Sequence, residues 1–499
     1  MKRGDIIFNY FKSKIEAVSI SKSNAYVDRY VNRENLNEKH KDGWKVDIET
    51  YVLKKKIPIN KIGNKISLLN EKYSPVNRNG GPNQGYLYNL TPRVLSIITS
   101  ELDLEELPNQ LKETLTKSEI IEKEVKSMNG FNSALTDVHL NFLETHIQRF
   151  IAALISKPFV ILTGLSGSGK TKLAQAFAYW ITENEKQYSI IPVGADWTNR
   201  EPILGFVNAL EYGKYIKPEN NIVDLIIEAG KEENSDKPFF LILDEMNLSH
   251  VERYFADILS VMESGEKINL HPDVDWNDDV PAELVLPLNL FIIGTVNIDE
   301  TTYMFSPKVL DRAHVIEFRV SDDEMENFLK EPFKPDLELL RGLGKNMAAD
   351  FILKSQTEIS DFDDFSSIES ILLDFFKELK KIGAEFGYRT ASEIYRFSGI
   401  LKILTKENGN EWGLDDIVDA AVIQKLLPKV HGSRSKLEPV LKTLAELCLS
   451  NKDDFDAIVK SKGIDYKDRT KIKYPLSLEK ILRMRTRVIQ DGFTSFTEA

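Results

Sequence analysis

The segment Lys157 to Thr171, KPFVILTGLSGSGKT, carries the residue spacing with the clearest chemical meaning in this 499-residue chain. Gly164, Gly169, Lys170 and Thr171 satisfy G-x-x-x-x-G-K-[ST], with Leu165, Ser166, Gly167 and Ser168 between the glycines and Lys172 just after. A phosphate chain needs a concave row of backbone N–H donors, and glycine lets the backbone curl and approach closely enough to supply one. The apolar run Phe159 to Leu162 reads as a strand entering the loop. A helix opening at Lys170-Thr171 adds unpaired N–H groups and the positive end of its dipole. In that setting Lys170 reaches the β- and γ-phosphates and Thr171 places its hydroxyl on Mg²⁺. The spacing implies a bound nucleoside triphosphate.

Downstream, FFLILDEMN delivers Asp244 and Glu245 at the end of an apolar strand beginning at Phe239. Two carboxylates so placed fit a Walker B role, Asp244 in the Mg²⁺ shell and Glu245 polarising the attacking water. A further strand, LNLFIIGTVNIDE, ends with Asn297, a polar side chain able to sense the γ-phosphate. SPKVLDRAHVIEF then sets Arg312 at the end of a short helix before another strand.

These residues need a scaffold, and the order of elements supplies one. Strand, helix (Lys172 to Glu183) and strand (Tyr188 to Val193) in succession imply a parallel sheet with right-handed crossovers. Upstream, apolar residues recur at helical spacing from Leu135 to Leu154, with His139 and His146 read as surface positions of that single helix. Residues 322–450 are helical by pattern, punctuated by Pro428 and Gly432. The tail 451–499 keeps Lys480, Arg483, Arg485 and Arg487, read as a solvated helix face in preference to a DNA grip.

Composition sets the bounds. A chain this long divides into two to four domains. No apolar run approaches the length of a membrane span, and the first 30 residues lack a signal-peptide core. One cysteine, Cys448, leaves no disulfide frame or thiolate metal site, and a cytoplasmic location follows. The net charge of −12 argues against blanket nucleic-acid binding, but residues 1–80 hold 17 Lys or Arg against 9 Asp or Glu. A basic front on an acidic body suits a tethered nucleic-acid reader. That front reads as β-rich: Ile6 to Phe8, Ile15 to Ile20 and Trp44 to Leu53 are strand candidates, Lys72 to Tyr88 is turn chemistry ending in an aromatic strand, and a helix near Thr91 to Leu102 closes it. Residues 104–130, rich in Glu, Lys and Asp, read as a solvated linker.

The phosphate loop, the Asp244-Glu245 strand, Asn297 and Arg312 together resemble an AAA+ ATPase module. More narrowly, GLSGSGKTK, DWTNREPILGF, LDEMNLSHVERYFADILSVMES, GTVNIDETTYMFSPKVLDRAHVIEF, FGYRTASEIYRF, QKLLPKVHGSR and YPLSLEKILRMRTRVIQDGFTSF resemble, in family order, the McrB-like motor subunits of modification-dependent restriction systems. The resemblance implies an α/β fold: an AAA+ nucleotide-binding domain over 131–335, a helical lid over 336–450 and a helical tail over 451–499. It also implies a cytoplasmic homo-oligomeric, hexameric ring in antiviral defence, with the site between subunits. Arg312 is then similar to the arginine finger given to the neighbour's γ-phosphate, and Arg389 in FGYRT to the lid arginine that touches the same phosphate. The cofactors implied are GTP, which this family prefers, or ATP, with Mg²⁺. Asn451-Lys452-Asp453-Asp454 matches the guanine-reading N-K-x-D pattern but follows a helix and reads as a helix N-cap. The family's best-known members carry M-N-T-x-D-R where this chain has Val296-Asn297-Ile298-Asp299-Glu300, so the base is left to the resemblance.

The opening GDIIF, the strand around Ala17-Val18-Ser19 and Tyr26 resemble the EVE-type branch of the PUA-like fold over residues 1–103, shortened at its front relative to that branch. Such modules are thought to read modified bases, and Tyr10, Tyr26, Trp44 and Asn83 are the pocket candidates. The whole then reads as the DNA-recognition and motor subunit of a system that acts on modified (5-methylcytosine) DNA. No PD…(D/E)-x-K nuclease core is present, so cleavage is assigned to a separate McrC-like partner. Two other readings share these residues: a MoxR-type protein-remodelling ATPase, and a nucleotide-gated DNA-binding assembly with little turnover.

Overall fold

A computed structural model describes residues 6–11, 13–23, 25–30, 41–67, 98–99, 101–103, 107–108, 111, 129–211, 213–272, 280–298, 303–320, 322–330, 335–358, 365–460 and 463–499. The chain divides into two compact units after Val125.

In the first unit, β1 (Ile6–Phe11), β2 (Lys14–Ser21) and β5 (Ile48–Pro58) form an antiparallel sheet in the order β1-β2-β5, while β3 (Tyr26–Tyr30) pairs with β4 (Lys41–Lys45). Alternation on β2 turns Ile15 inward with Val18 and Ile20 across a register shift, and these pack with Ile57 and with Ile62 and Ile66 of α1 (Ile59–Ser67). The strand expected from Trp44 to Leu53 is divided at Val46-Asp47 between β4 and β5. Ile98 and Thr99 are helical and buried, whereas Lys72 to Tyr88 lies outside the described residues. Leu107 and Leu111, within the stretch expected to be a solvated linker, are buried in this same core. They are one helical turn apart, a signal that the surrounding charge obscures.

The second unit begins with α2 (Asn129–Asp137) and α3 (Glu144–Ser156), then β6 (Phe159–Gly164), α4 (Lys170–Ile181) and β7 (Tyr188–Pro192). A short hairpin, β8 (Phe206–Val207) and β9 (Tyr215–Ile216), precedes α5 (Ile222–Ala229) and β10 (Phe239–Asp244). After α6 (Ala256–Ser264) and a second hairpin, β11 (Ile268–Asn269) and β12 (Glu283–Leu284), come β13 (Leu290–Asn297) and β14 (His314–Phe318). The five long strands form one parallel sheet in the order β14-β6-β13-β10-β7. Each of β6, β13 and β14 is buried along its full length, as expected of strands covered on both faces. This is the expected parallel sheet of an α/β fold, and its order reverses beside β6. The C-terminal ends of the strands at such a reversal form a crevice for ligands.

The single helix expected from Leu135 to Leu154 is two helices. His139, in the break, adopts the left-handed conformation at φ 57°. Val138 and Ile147 are both buried, so the apolar spacing ran on across the turn and hid it. His146 is only partly at the surface: it packs against the Phe318 ring at 5.3 Å, and burial beside Arg149 pushes its imidazole down to about 3.

Helices follow: α7 (Asp322–Lys330), α8 (Ala348–Gln356), α9 (Phe365–Lys380), α10 (Tyr388–Glu407) and α11 (Leu414–Ala421), the last running into a π-helical turn, Val422–Leu426. Then come β15 (His431–Ser433), α12 (Arg434–Leu447), α13 (Pro475–Asp491) and β16 (Phe493–Ser495), with β15 pairing β16. Across the expected division at residue 335 the two sides share one hydrophobic core. Phe351 of α8 sits among Phe177 of α4 and Phe240 and Phe291 of the sheet, its ring centroid 4.8–6.4 Å from theirs. The tail is a solvated face only in part: Arg487 is exposed, but two of its cations turn inward. Lys480, 1% exposed, and Arg483 both pair with Glu317 on β14, at 2.9 and 2.8 Å.

Asp419 on α11 fastens α13 by accepting the backbone N–H groups of Leu476 and Ser477 at 2.7 and 2.8 Å, at that helix's N-terminus. Its complete burial pushes the carboxyl up to about 6 from 3.8. Between those values the folded chain holds a proton that the unfolded chain releases. The stability due to this group is therefore full below about pH 4 and lost as pH rises through about 6. The stability of the natural chain relative to Asp419→Asn is expected to fall by about 3 kcal/mol between pH 4 and 7, read from urea midpoints of the two proteins at each pH.

Candidate nucleotide site

The phosphate loop joins the C-terminal end of β6 to α4. Its three glycines have positive φ, 154° at Gly164, 76° at Gly167 and 90° at Gly169. At Gly164 the requirement is also steric, since a Cβ there would stand 2.3 Å from the Phe318 carbonyl oxygen on the neighbouring strand. Lys170, 4% exposed, folds its ammonium back over the loop, donating to the carbonyls of Gly164 at 2.9 Å and Leu165 at 2.6 Å and to Ser168 Oγ at 3.3 Å. The charge therefore sits at the mouth of the turn, where a phosphate chain lying on the loop would meet it.

Parallel pairing brings β10 close enough for its end to meet this loop. Thr171 Oγ1 donates to Asp244 Oδ1 at 2.6 Å, and Thr295 Oγ1 on β13 donates to the same oxygen, also at 2.6 Å. Thr295 in turn accepts the Glu245 backbone N–H at 3.1 Å. Glu245 is held in the left-handed region at φ 53°, a conformation costly for a residue with a Cβ. Its Oε1 accepts from Asn297 Nδ2 at 3.0 Å. The structure thus gathers Lys170, Thr171, Asp244, Glu245 and Asn297 at one crevice. Thr295 was missed, although the two-residue period of β13 places it on the same face as Asn297. Asn247, also missed, is buried and donates to the Asn297 carbonyl at 3.3 Å. Among the described residues no group of three or more His, Cys, Asp or Glu is arranged to hold a metal ion by itself. A hydroxyl and one carboxylate instead suit Mg²⁺, which keeps waters and phosphate oxygens in its shell.

Arg312 and Arg389 lie together, but elsewhere. Residue 312 precedes β14, whose His314 pairs with Val160 and whose Phe318 pairs with Gly164. Four strand residues, or about 13 Å, separate those two levels, so Arg312 is at the opposite edge of the sheet from its own phosphate loop. Its guanidinium, 12% exposed, pairs with Glu263 and donates to the carbonyls of Leu259 at 2.8 Å and Lys308 at 2.6 Å. Arg389, at the start of α10, pairs with the other oxygen of Glu263 at 2.7 Å. Burial, with Arg389 next to it, lowers the Arg312 pKa. Glu263, in the last turn of α6, had no signal in sequence, because a carboxylate there is ordinary for an exposed helix.

Other candidates resolve differently. The Asn451 side chain accepts from the Asp453 N–H at 3.2 Å and caps a short helix, as expected. In DWTNREPILGF, Arg200 pairs with Asp257 at 3.0 Å and the Trp197 carbonyl accepts from Ser249 at 2.6 Å, tying the segment to the residues after Glu245. Tyr10 is 41% exposed on β1, Tyr26 and Trp44 stand opposite Lys45 and Val27 in the β3–β4 pair, and Asn83 lies outside the described residues. No described helix is long and apolar enough to cross a membrane.

Comparison with known proteins gives three findings. Residues 337–493 match a family described as a domain of unknown function (DUF8727). Over 167 residues the chain is 24% identical to the type IV methyl-directed restriction enzyme EcoKMcrB subunit of Escherichia coli K12, a match spanning 33% of this chain and 35% of that protein. A solved structure from Cytophaga hutchinsonii, titled a "putative ATPase", aligns with a TM-score of 0.41 at 13% identity, over 62% of this chain and 90% of that one.

Proposed function

We propose that this chain is a nucleoside triphosphatase whose pocket is completed by a neighbouring copy, and that it serves as the DNA-recognition and motor subunit of a restriction system. The observation that carries this reading is the separation of the two halves of the site within one chain. Lys170, Thr171, Asp244, Glu245 and Asn297 form the triphosphate-binding half at the C-terminal edge of the sheet. Arg312 and Arg389, joined through Glu263, form a cationic half at the other edge. An arginine side chain cannot cross that distance, so the triphosphate these two address belongs to another copy.

In this reading Lys170 and the loop N–H groups hold the β- and γ-phosphates. Thr171 and Asp244 would hold Mg²⁺, which when bound would neutralise charge on the phosphate oxygens. Glu245 orients the attacking water, Asn297 fixes the Glu245 carboxylate, and Arg312, released from Glu263, meets the charge that develops on the γ-phosphate of the next subunit. Arg389 joins it from the lid. A closed ring, a hexamer in this reading, puts such an interface on every subunit. GTP is preferred over ATP on the strength of the McrB-like resemblance, and cleavage falls to a separate McrC-like nuclease.

The small β-rich unit is read as the DNA reader, in the manner of an EVE-type module, on its basic balance and the exposed Tyr10. Filter binding of the full chain to duplexes with and without 5-methylcytosine, across a salt series, tests this. Tighter binding to the modified duplex at every salt concentration is expected. Equal affinity with a steep salt slope would mean backbone contacts alone and would remove the reader assignment.

A further inference from the structure

We propose that Lys425 is a positioning residue for Arg312, fixing the turn that presents this arginine to the neighbouring subunit. The inference rests on the reading of Arg312 given above and adds to it the part of the lid that holds the arginine in place.

Lys425 lies in the π-helical turn Val422–Leu426, which continues α11. Such turns are uncommon because their hydrogen bonding is poorer than that of an α-helix, and they are frequent at functional sites. This one turns two successive polar side chains into the protein in different directions. Gln424 accepts from Arg149 Nε on α3 at 2.9 Å. Lys425, with no side-chain exposure, sends its ammonium to the residues on either side of Arg312, donating to the Ala313 carbonyl at 2.9 Å and reaching the Asp311 carbonyl at 3.5 Å. Its remaining partner is Glu393 on α10, at 2.7 Å.

The surrounding contacts close a circuit. Glu393 also pairs with Lys157, two residues before β6, and lies one helical turn after Arg389. Lys429, 10% exposed, pairs with the Asp311 side chain and donates to Thr390 Oγ1 at 3.4 Å. The short turn bearing Arg312 is therefore gripped by Lys425 through the backbone and by Lys429 through Asp311, while the helix that grips Lys425 also carries Arg389. Burying an ammonium ion is costly, and burial brings Lys425 down to about 8. An apolar residue would fill the same space without that cost, but could not hold two carbonyls in register. Through this circuit a shift of the lid in one subunit moves the arginine facing the next.

The test uses mixed assemblies, because a subunit offers its phosphate loop to one neighbour and Arg312 to the other. Lys425→Met should lower turnover about 10²-fold, the cost of misplacing a catalytic group by roughly an ångström. It should leave the nucleotide affinity of the subunit unchanged. Mixed with Lys170→Ala subunits, whose Arg312 is sound, it should regain activity. Mixed with Arg312→Ala subunits it should not. A merely structural lysine would show no such asymmetry, so equal recovery in both mixtures, or recovery in neither with nucleotide affinity intact, overturns the proposal. Should Lys425→Met fail to fold, Lys429→Met is read in the same two mixtures, and absence of the asymmetry there overturns it as well. If Lys170→Ala and Arg312→Ala do not rescue each other, it is the shared-pocket reading that fails.

Discussion

Replacing Glu245 by Gln is expected to reduce nucleotide hydrolysis by the assembled protein about 10²- to 10⁴-fold, while nucleotide binding stays intact. The substitution is nearly isosteric. The left-handed backbone at Glu245, its N–H bond to Thr295 and the double hydroxyl contact on Asp244 involve nothing that Gln alters. What is lost is the negative charge that draws a proton from water. Asn297 Nδ2, now 3.0 Å from Oε1, can still pair with the amide oxygen, so the side chain keeps its orientation and the loss is chemical. Steady-state phosphate release beside equilibrium binding of a fluorescent nucleotide separates the two effects. Turnover unchanged in assembled protein would remove Glu245 from the mechanism.

Arg312→Ala is expected to have a still larger effect, about 10³- to 10⁵-fold on turnover, because an arginine meeting the γ-phosphate stabilises charge present only in the transition state. Its own contacts make the prediction specific. Arg312 is fully engaged by Glu263, Leu259 and Lys308, all in its own chain and all away from its own phosphate loop. If those contacts were its purpose, Ala would lower the melting temperature and leave turnover of the surviving folded protein near normal. If it serves the neighbour, turnover collapses at temperatures well below melting. Phosphate release and thermal unfolding on the same preparation distinguish the two.

Much of the candidate nucleotide site was legible because phosphate-binding chemistry calls for residue types at fixed intervals. Gly164, Gly169, Lys170 and Thr171 sit in one contiguous loop, and Asp244-Glu245 end a strand that is apolar by necessity. The contacts brought in from other strands and helices were not legible. Thr295 reaches Asp244 only because β13 inserts between β6 and β10, and strand order is not written in local periodicity. Glu263 binds two arginines that are 49 and 126 positions further along the chain, a pairing that only the tertiary structure creates. Lys480 and Arg483 looked like a solvated stripe because a charged residue at helical spacing gives no sign of a buried Glu317 waiting for it. The helix break at His139 was hidden for the converse reason, since burial on both sides kept the apolar rhythm in phase across it.

The shared pocket is tested most directly by mixing two inactive proteins. Lys170→Ala subunits cannot hold the triphosphate and Arg312→Ala subunits cannot act on a neighbour's. In a random equal mixture about a quarter of the interfaces join a sound loop to a sound arginine. The account predicts that phosphate release, absent from either protein alone, returns to about that fraction of the natural rate. A mixture as inactive as its parents, with mixed assemblies demonstrated by mass, would contradict it.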